Sequence, residues 1–124
     1  MNEQATPLDI ALAFTRAWAS HDLDAASRYV ANDIVFDGPL AQTTGAKPYL
    51  EGLTKLAGTV TDLEMIAAHG SDREALLMYD LHTGLYGTLT CAKCLTVRDG
   101  KIVHDKLTFD SYKIRQAQAA QPSH

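Results

Sequence analysis

Asp99-Gly100 lies between two long runs of strand-forming residues, Tyr86-Gly-Thr-Leu-Thr-Cys-Ala-Lys-Cys-Leu-Thr-Val97 and Lys101-Ile-Val-His-Asp-Lys-Leu-Thr-Phe109. An Asp-Gly pair in that setting is the strongest short-range signal for a β-hairpin. Both runs exceed the usual strand length, so the hairpin is predicted to form the middle of a curved sheet. Side chains alternate along a strand. Cys91, Lys93, Leu95 and Val97 therefore share one face of the first arm, and Asp105, Leu107 and Phe109 share one face of the second. If the two faces coincide, a lysine and an aspartate sit among apolar side chains. Ions are costly to bury there unless they are paired.

The chain ahead of the hairpin reads as helices followed by strands. Thr6-Pro7-Leu8-Asp9 opens a helix: Thr6 caps, Pro7 suits the first turn and Asp9 meets the positive end of the dipole. Leu8, Ala11, Leu12, Phe14 and Trp18 lie on its apolar side. Asp22 caps a second short helix that turns Leu23, Ala26, Tyr29 and Val30 inward, and Asn32-Asp33 breaks it. Ile34-Val-Phe-Asp37 reads as a strand ended by Gly38-Pro39. Leu40 to Thr44 is predicted to be a loop, and a third helix runs from Gly45 to Gly58 with Tyr49, Leu50, Leu53 and Leu56 on its apolar stripe. Val60–His69 and Ala75–Thr83 are predicted strands around a turn at Gly70-Ser71-Asp72. Gln116 to His124 has the composition of a frayed, flexible tail.

The predicted fold is thus α+β, with three N-terminal helices covering a curved antiparallel sheet to make a cone. A single domain spans residues 1–124, its core falling at about 8–112. A cone closed by helices encloses a cavity, the default place for a ligand.

The 124 residues, 46% hydrophobic and 21% charged, suit one soluble domain with a real core. A net charge of −4 and a pI near 5.6 supply no basic patch to neutralise phosphates, so no nucleic-acid partner is expected. No apolar run reaches the length of a membrane span, so no membrane partner is expected either. The first residues lack the basic and apolar regions of a signal peptide, which makes the cytoplasm the expected compartment. Cys91-Ala-Lys-Cys94 spells CxxC, but residues three apart on a strand face opposite ways and cannot bring their sulfurs together. The five histidines show no HxxxH or HxH spacing, and there is no Gly-rich phosphate loop. Neither a metal nor a cofactor is expected.

Three stretches carry a family likeness: Phe14-Thr-Arg-Ala-Trp-Ala-Ser-His-Asp-Leu-Asp24, Tyr29-Val-Ala-Asn-Asp-Ile-Val-Phe-Asp-Gly-Pro39 and Val97-Arg-Asp-Gly-Lys-Ile-Val103. Together with the element order, they resemble the nuclear transport factor 2-like superfamily, above all its SnoaL-like branch. That resemblance implies a homodimer formed through the outer face of the sheet. It leaves function open, because this fold hosts isomerases, hydrolases, cyclases and partner-binding modules. Against the ketosteroid isomerase pattern, Asp37 falls at the general base, while Phe14 and Lys93 stand where the oxyanion hole has a Tyr and an Asp. Against the limonene epoxide hydrolase pattern, Asp80 matches one carboxylate. Met78 and Leu107 stand where the Arg and the other Asp belong.

With the family cavity as the reference, Met78, Asp80 and His82 are expected to point inward together with Asp37, Lys93 and Asp105. These carboxylates, the lysine and the histidine form the candidate catalytic group. Phe14, Trp18, Tyr49, Met65, Met78, Cys91, Leu95, Leu107 and Phe109 form the candidate substrate wall. One hypothesis is a cofactor-independent acid–base enzyme for a small, largely apolar or carbonyl-containing molecule, of isomerase, cyclase or hydratase/hydrolase type. In it Asp37 shuttles a proton, and Lys93 or His82 stabilises an oxyanion. The other is a non-catalytic, dimeric interaction or ligand-carrier module, in which Lys93 merely pairs with Asp80 or Asp105.

Overall fold

A computed structural model describes residues 5–120. The Thr6 side chain accepts a hydrogen bond from the Asp9 amide while the Asp9 carboxylate accepts one from the Thr6 amide. This capping box opens α1 (Pro7–Ala19). Asp22 caps α2 (Leu23–Ser27). The chain then enters β1 (Val30–Asp37) earlier than predicted, and Asn32-Asp33 lies inside the strand. Backbone pairing overrode the helical spacing: the Ile102 amide donates to the Tyr29 carbonyl, and Val30 pairs with Ile102. A register shift between Val30 and Val35 absorbs the polar Asn-Asp pair.

The predicted loop also contains a strand. Gly38 donates to the Ala41 carbonyl, and the turn returns the chain as β2 (Gln42–Thr44) along β1. There follow α3 (Ala46–Ala57), β3 (Val60–Gly70), β4 (Glu74–Thr83), β5 (Gly87–Arg98) and β6 (Lys101–Phe109). Arg98 pairs with Lys101, and the two turn residues have positive φ, 53° at Asp99 and 77° at Gly100. A two-residue hairpin loop with that twist needs both angles positive, which an Asp-Gly pair tolerates.

The six strands form one sheet in the order β2-β1-β6-β5-β4-β3. It is antiparallel except between β1 and β6, which run parallel. The helices cover one face, where Ile10, Phe14 and Trp18 of α1 and Leu53 of α3 pack against Ala75, Leu77, Tyr79, Leu81 and Leu95. The other face carries Leu76, Met78, Asp80, His82, Thr90 and Cys94. Gly70 lets α1 approach: a Cβ there would sit 2.7 Å from the Leu8 Cβ.

A fourth helix, α4 (Tyr112–Ala120), occupies much of the predicted tail and buries Ile114. Alanine and glutamine favour helix, and one buried apolar anchor is enough to seat it. The rest of that tail, 121–124, lies outside the described residues. Among the described residues no helix is long and apolar enough to cross a membrane.

Candidate functional site

The covered face of the sheet encloses a cavity of about 450 Å³. Its walls are largely apolar. Leu53 and Leu56 come from α3, Tyr79 and Leu81 from β4, and Leu107 and Phe109 from β6. The Pro39–Ala41 turn and Ile114 of α4 lie around it as well. A pocket of this size and lining is suited to a small, mostly hydrocarbon molecule.

Two polar residues of the cavity, Tyr49 and Lys93, converge on Asp105. Its Oδ2 accepts a 2.6 Å hydrogen bond from the Tyr49 hydroxyl and lies 3.3 Å from the Lys93 ammonium. All three residues line the cavity and all three are buried. Lys93 Nζ is also surrounded by rings, 5.9 Å from the Phe14 centroid, 5.7 Å from Trp18 and 5.8 Å from Tyr79. A cation held over ring faces is stabilised by their negative quadrupoles. Burial opposes the Lys93 charge, but Asp105 and then Tyr79 outweigh it and hold the lysine above its ordinary 10.5. Burial, then the Asp105 charge, raises Tyr49 well above 10.0, so its hydroxyl stays a donor. Burial likewise raises Tyr79, and it pushes the Cys91 thiol up to about 11.

The three elements that bring this group together are fixed by register. Asp105 pairs with Leu95 on one side and with Phe36 on the other, and Lys93 pairs with Leu107. Phe36 in turn pairs with Thr43. Tyr49 reaches down from the first turns of α3, its ring 6.3 Å from Phe14 and 5.7 Å from Phe36.

Among the described residues, three buried side-chain atoms have no hydrogen-bond partner: Asp105 Oδ1, Trp18 Nε1 and Thr43 Oγ1. Each belongs to a residue that lines the cavity. Buried polar atoms are normally satisfied, so each of the three is an exception to that rule. Among the described residues, no three His, Cys, Asp or Glu side chains gather where they could hold a metal ion.

The SnoaL-like domain model matches residues 11–105. The chain belongs to the SnoaL-like family. A crystal structure of a Kribbella flavida protein is 34% identical to this SnoaL-like chain, covering 94% of it and 97% of the other, with a TM-score of 0.89. A steroid delta-isomerase from Pseudomonas aeruginosa is similar at 20% identity, 96% and 90% coverage and a TM-score of 0.76. An LEH-like epoxide hydrolase from M. tuberculosis is similar at 18% identity, 90% and 87% coverage and a TM-score of 0.73. These last two likenesses are of fold. No curated protein matches the chain.

Within this SnoaL-like fold, part of the expected site is assembled and part is not. Lys93, Asp105, Trp18, Tyr49, Cys91, Leu107 and Phe109 line the cavity. Phe14 and Leu95 are fully buried behind that lining, and Met65 packs at the edge of the core. Asp37 does not point inward. Its neighbour Phe36 does, and alternation sends Asp37 to the other face. There Gln42 donates to it at 3.0 Å and Lys106 at 3.3 Å, and these two hold its carboxyl below the usual range, Gln42 first.

Met78, Asp80 and His82 share a face as expected, but it is the outer one. Leu77, Tyr79 and Leu81 fill the inner positions of β4. Asp80 instead accepts from the Thr90 hydroxyl at 2.6 Å. His82 lies 2.9 Å from Thr88 and 3.4 Å from Glu64. Phe36, Thr43, Leu53, Leu56, Tyr79, Tyr86 and Ile114 line the cavity without having been singled out. For Phe36 and Tyr79 the signal was present: each sits at alternate spacing from the charged residue that was expected inside.

Proposed function

We propose that this SnoaL-like protein binds a small, largely apolar molecule in the cone cavity and performs acid–base chemistry on it with its own side chains. The observation that carries this reading is the free Oδ1 of Asp105. The other carboxylate oxygen is fully engaged by Tyr49 and Lys93, which orient the group and balance its charge. Oδ1 is buried without a hydrogen-bond partner among the described residues, in a residue that lines the cavity.

In the proposed step Asp105 Oδ1 takes a proton from the ligand, and the pair of electrons left behind delocalises onto a ligand oxygen. Trp18 Nε1–H is a donor without a partner, suited to meet that developing negative charge. Return of the proton to a different atom completes an isomerisation with no net change in redox state. Asp37 has no part in this scheme.

A second reading keeps the Lys93–Asp105 pair as structure only, inside an interaction or carrier module. The cage of three rings around Lys93 favours it, since that cation is well satisfied without a ligand. The orphaned atoms weigh against it. Turnover of a panel of ketones, lactones and epoxides separates the two. Asp105→Asn should lower any activity found by about 10²–10⁴-fold, and equal turnover by wild type and Asp105→Asn would remove Asp105 as the base. We also propose that the protein pairs with a second copy through the outer face, where Ile66, Leu76 and Met78 are 51%, 53% and 42% exposed. Sedimentation at micromolar concentration, set against the 13.5 kDa chain mass, tests that pairing.

A further inference from the structure

The residues lining the cavity give it a closed end and an open one. Trp18, Tyr79, Cys91, Lys93 and Asp105 line it and are buried. Pro39, Leu40, Gly52, Lys55 and Gln118 line it too but are exposed, so the way to solvent passes among them. These exposed residues come from the β1–β2 turn, α3 and α4.

The first two of these elements are tied down. The turn closes through the Gly38 amide on the Ala41 carbonyl, and its arms pair from Asp37–Gln42 to Val35–Thr44. α3 buries Tyr49, Leu53 and Ala57, and the Tyr49 hydroxyl is bonded to Asp105. α4 is held differently. Its entry is fixed by local bonds only: the Tyr112 amide donates to the Asp110 carboxylate, and the Arg115 amide to the Ser111 carbonyl. Among the described residues no hydrogen bond or ion pair joins α4 to another element. Its one buried side chain among them is Ile114.

Ile114 and Gln118, one helical turn apart, are also the residues through which α4 lines the cavity. The side chain that seats the helix is therefore part of the cavity wall. Burial of one isoleucine favours the seated helix by only about 10–10²-fold. Segments held by so few buried apolar groups open far more readily than the whole protein unfolds. Asp110 and Ser111 alone separate α4 from Phe109 at the end of β6, which places a short hinge beside the cavity.

We propose that α4 is the gate of the cavity: it swings about Asp110-Ser111 to admit the ligand and then reseats Ile114 to cover it. The proposal rests on the cavity reading given above and adds the route by which the ligand enters. Closure hides the remaining surface of an apolar ligand and keeps water from the proton transfer.

N-phenyl-1-naphthylamine, a neutral apolar probe that brightens on leaving water, tests the gate in stopped flow. Ile114→Ala loosens the seat, so the association rate constant of the probe should rise about tenfold or more, and dissociation should quicken with it. A fixed wall behaves otherwise: trimming a side chain that only touches the probe changes dissociation and leaves association as it was. That result would overturn the gate while leaving the cavity a binding site. Hydrogen exchange on the wild type decides the matter should Ile114→Ala fail to fold. Saturating probe should slow the amides of α4 at least about tenfold while those of α2, which does not line the cavity, keep their rates. Unchanged α4 amides with the probe bound would overturn the gate. Trp18 lines the cavity and is the only tryptophan, so its one indole N–H resonance reports whether the probe is inside. A resonance that stays in place at saturating probe would overturn the cavity reading itself, and the gate with it.

Discussion

Tyr49 and Asp105, 56 positions apart, meet in a buried hydrogen bond of 2.6 Å. The oxygen that accepts it is the one Lys93 approaches at 3.3 Å. Two donors from different elements thus converge on Oδ2, and Oδ1 is left without a partner among the described residues. The asymmetry of this one carboxylate sets both the stability and the proposed chemistry of the site.

Removing only the cation should be costly. Lys93→Met leaves Asp105 buried without its counter-charge, and a broken buried pair typically costs about 3–5 kcal/mol. The double variant Lys93→Met/Asp105→Leu should recover most of that loss. Urea denaturation of the wild type, both single variants and the double variant measures the coupling. Additive losses would mean that the two residues do not depend on each other.

Tyr49→Phe keeps the ring stack on Phe14 and deletes only the hydroxyl. A hydrogen bond to a charged group contributes about 1.5–3 kcal/mol, and a loss of that size is expected in the same assay. A loss near zero would show that the carboxylate finds another donor.

Alkaline pH should unfold the protein through this site. Tyr49 and Lys93 both have folded-state pKa values raised above their ordinary 10.0 and 10.5. A raised value means that the folded state holds its proton more tightly than the unfolded chain does. The stability this supplies is complete below the unfolded values and drains away as pH rises past them. The midpoint of unfolding should therefore fall above about pH 10. Tyr79 is raised in the same direction. Of the five tyrosines, the phenolate absorbance of Tyr49 and Tyr79 should appear only as the protein unfolds. Their titration in the folded protein near pH 10 would contradict the buried geometry.

Asp37→Asn is the informative negative. Its carboxylate is engaged on the outer face by Gln42 and Lys106, so ligand affinity and any turnover should be unchanged. A large loss of either would return Asp37 to the site.

The two thiols should be slow to react. Burial pushes both Cys91 and Cys94 to about 11, with a hydrogen bond from Cys94 to Glu74 adding to the rise at the latter. Labelling by a thiol-specific disulfide reagent near pH 8 should be far slower in the folded protein than in urea, and no Cys91–Cys94 disulfide should form under mild oxidation. Rapid labelling of Cys91 would show that the cavity opens readily to solvent.

Much of the fold was legible because its strongest signals are local. The Asp99-Gly100 turn, the Thr6–Asp9 cap and the helical stripes all follow from neighbours within a few residues. Alternation also sorted β4 and β5 into the right sets of side chains. It does not say which set faces the core. In β5 only one set is apolar enough to choose from, so Cys91, Lys93 and Leu95 were placed correctly. In β4 both sets contain large apolar residues, and the family template favoured Met78, Asp80 and His82 over Leu77, Tyr79 and Leu81. In β1 the deciding fact is the pairing of Phe36 with Asp105, a contact across almost seventy residues that no local pattern encodes. β2 and α4 were missed because three polar residues and an Ala/Gln run carry almost no hydrophobic period.

The parallel seam between β1 and β6 has a consequence for how the chain comes off the ribosome. β1 is made early, yet its central neighbour is the last strand to emerge. Until then its open edge has only the three residues of β2 on one side. Long-range pairings of this kind are slow to form and leave strand edges bare in the meantime. The cavity shares that delay, because Asp105 lies on the late strand and is presented to Phe36 and Tyr49 only when the seam closes. A nascent SnoaL-like chain of this design therefore gains its binding site in the closing act of folding.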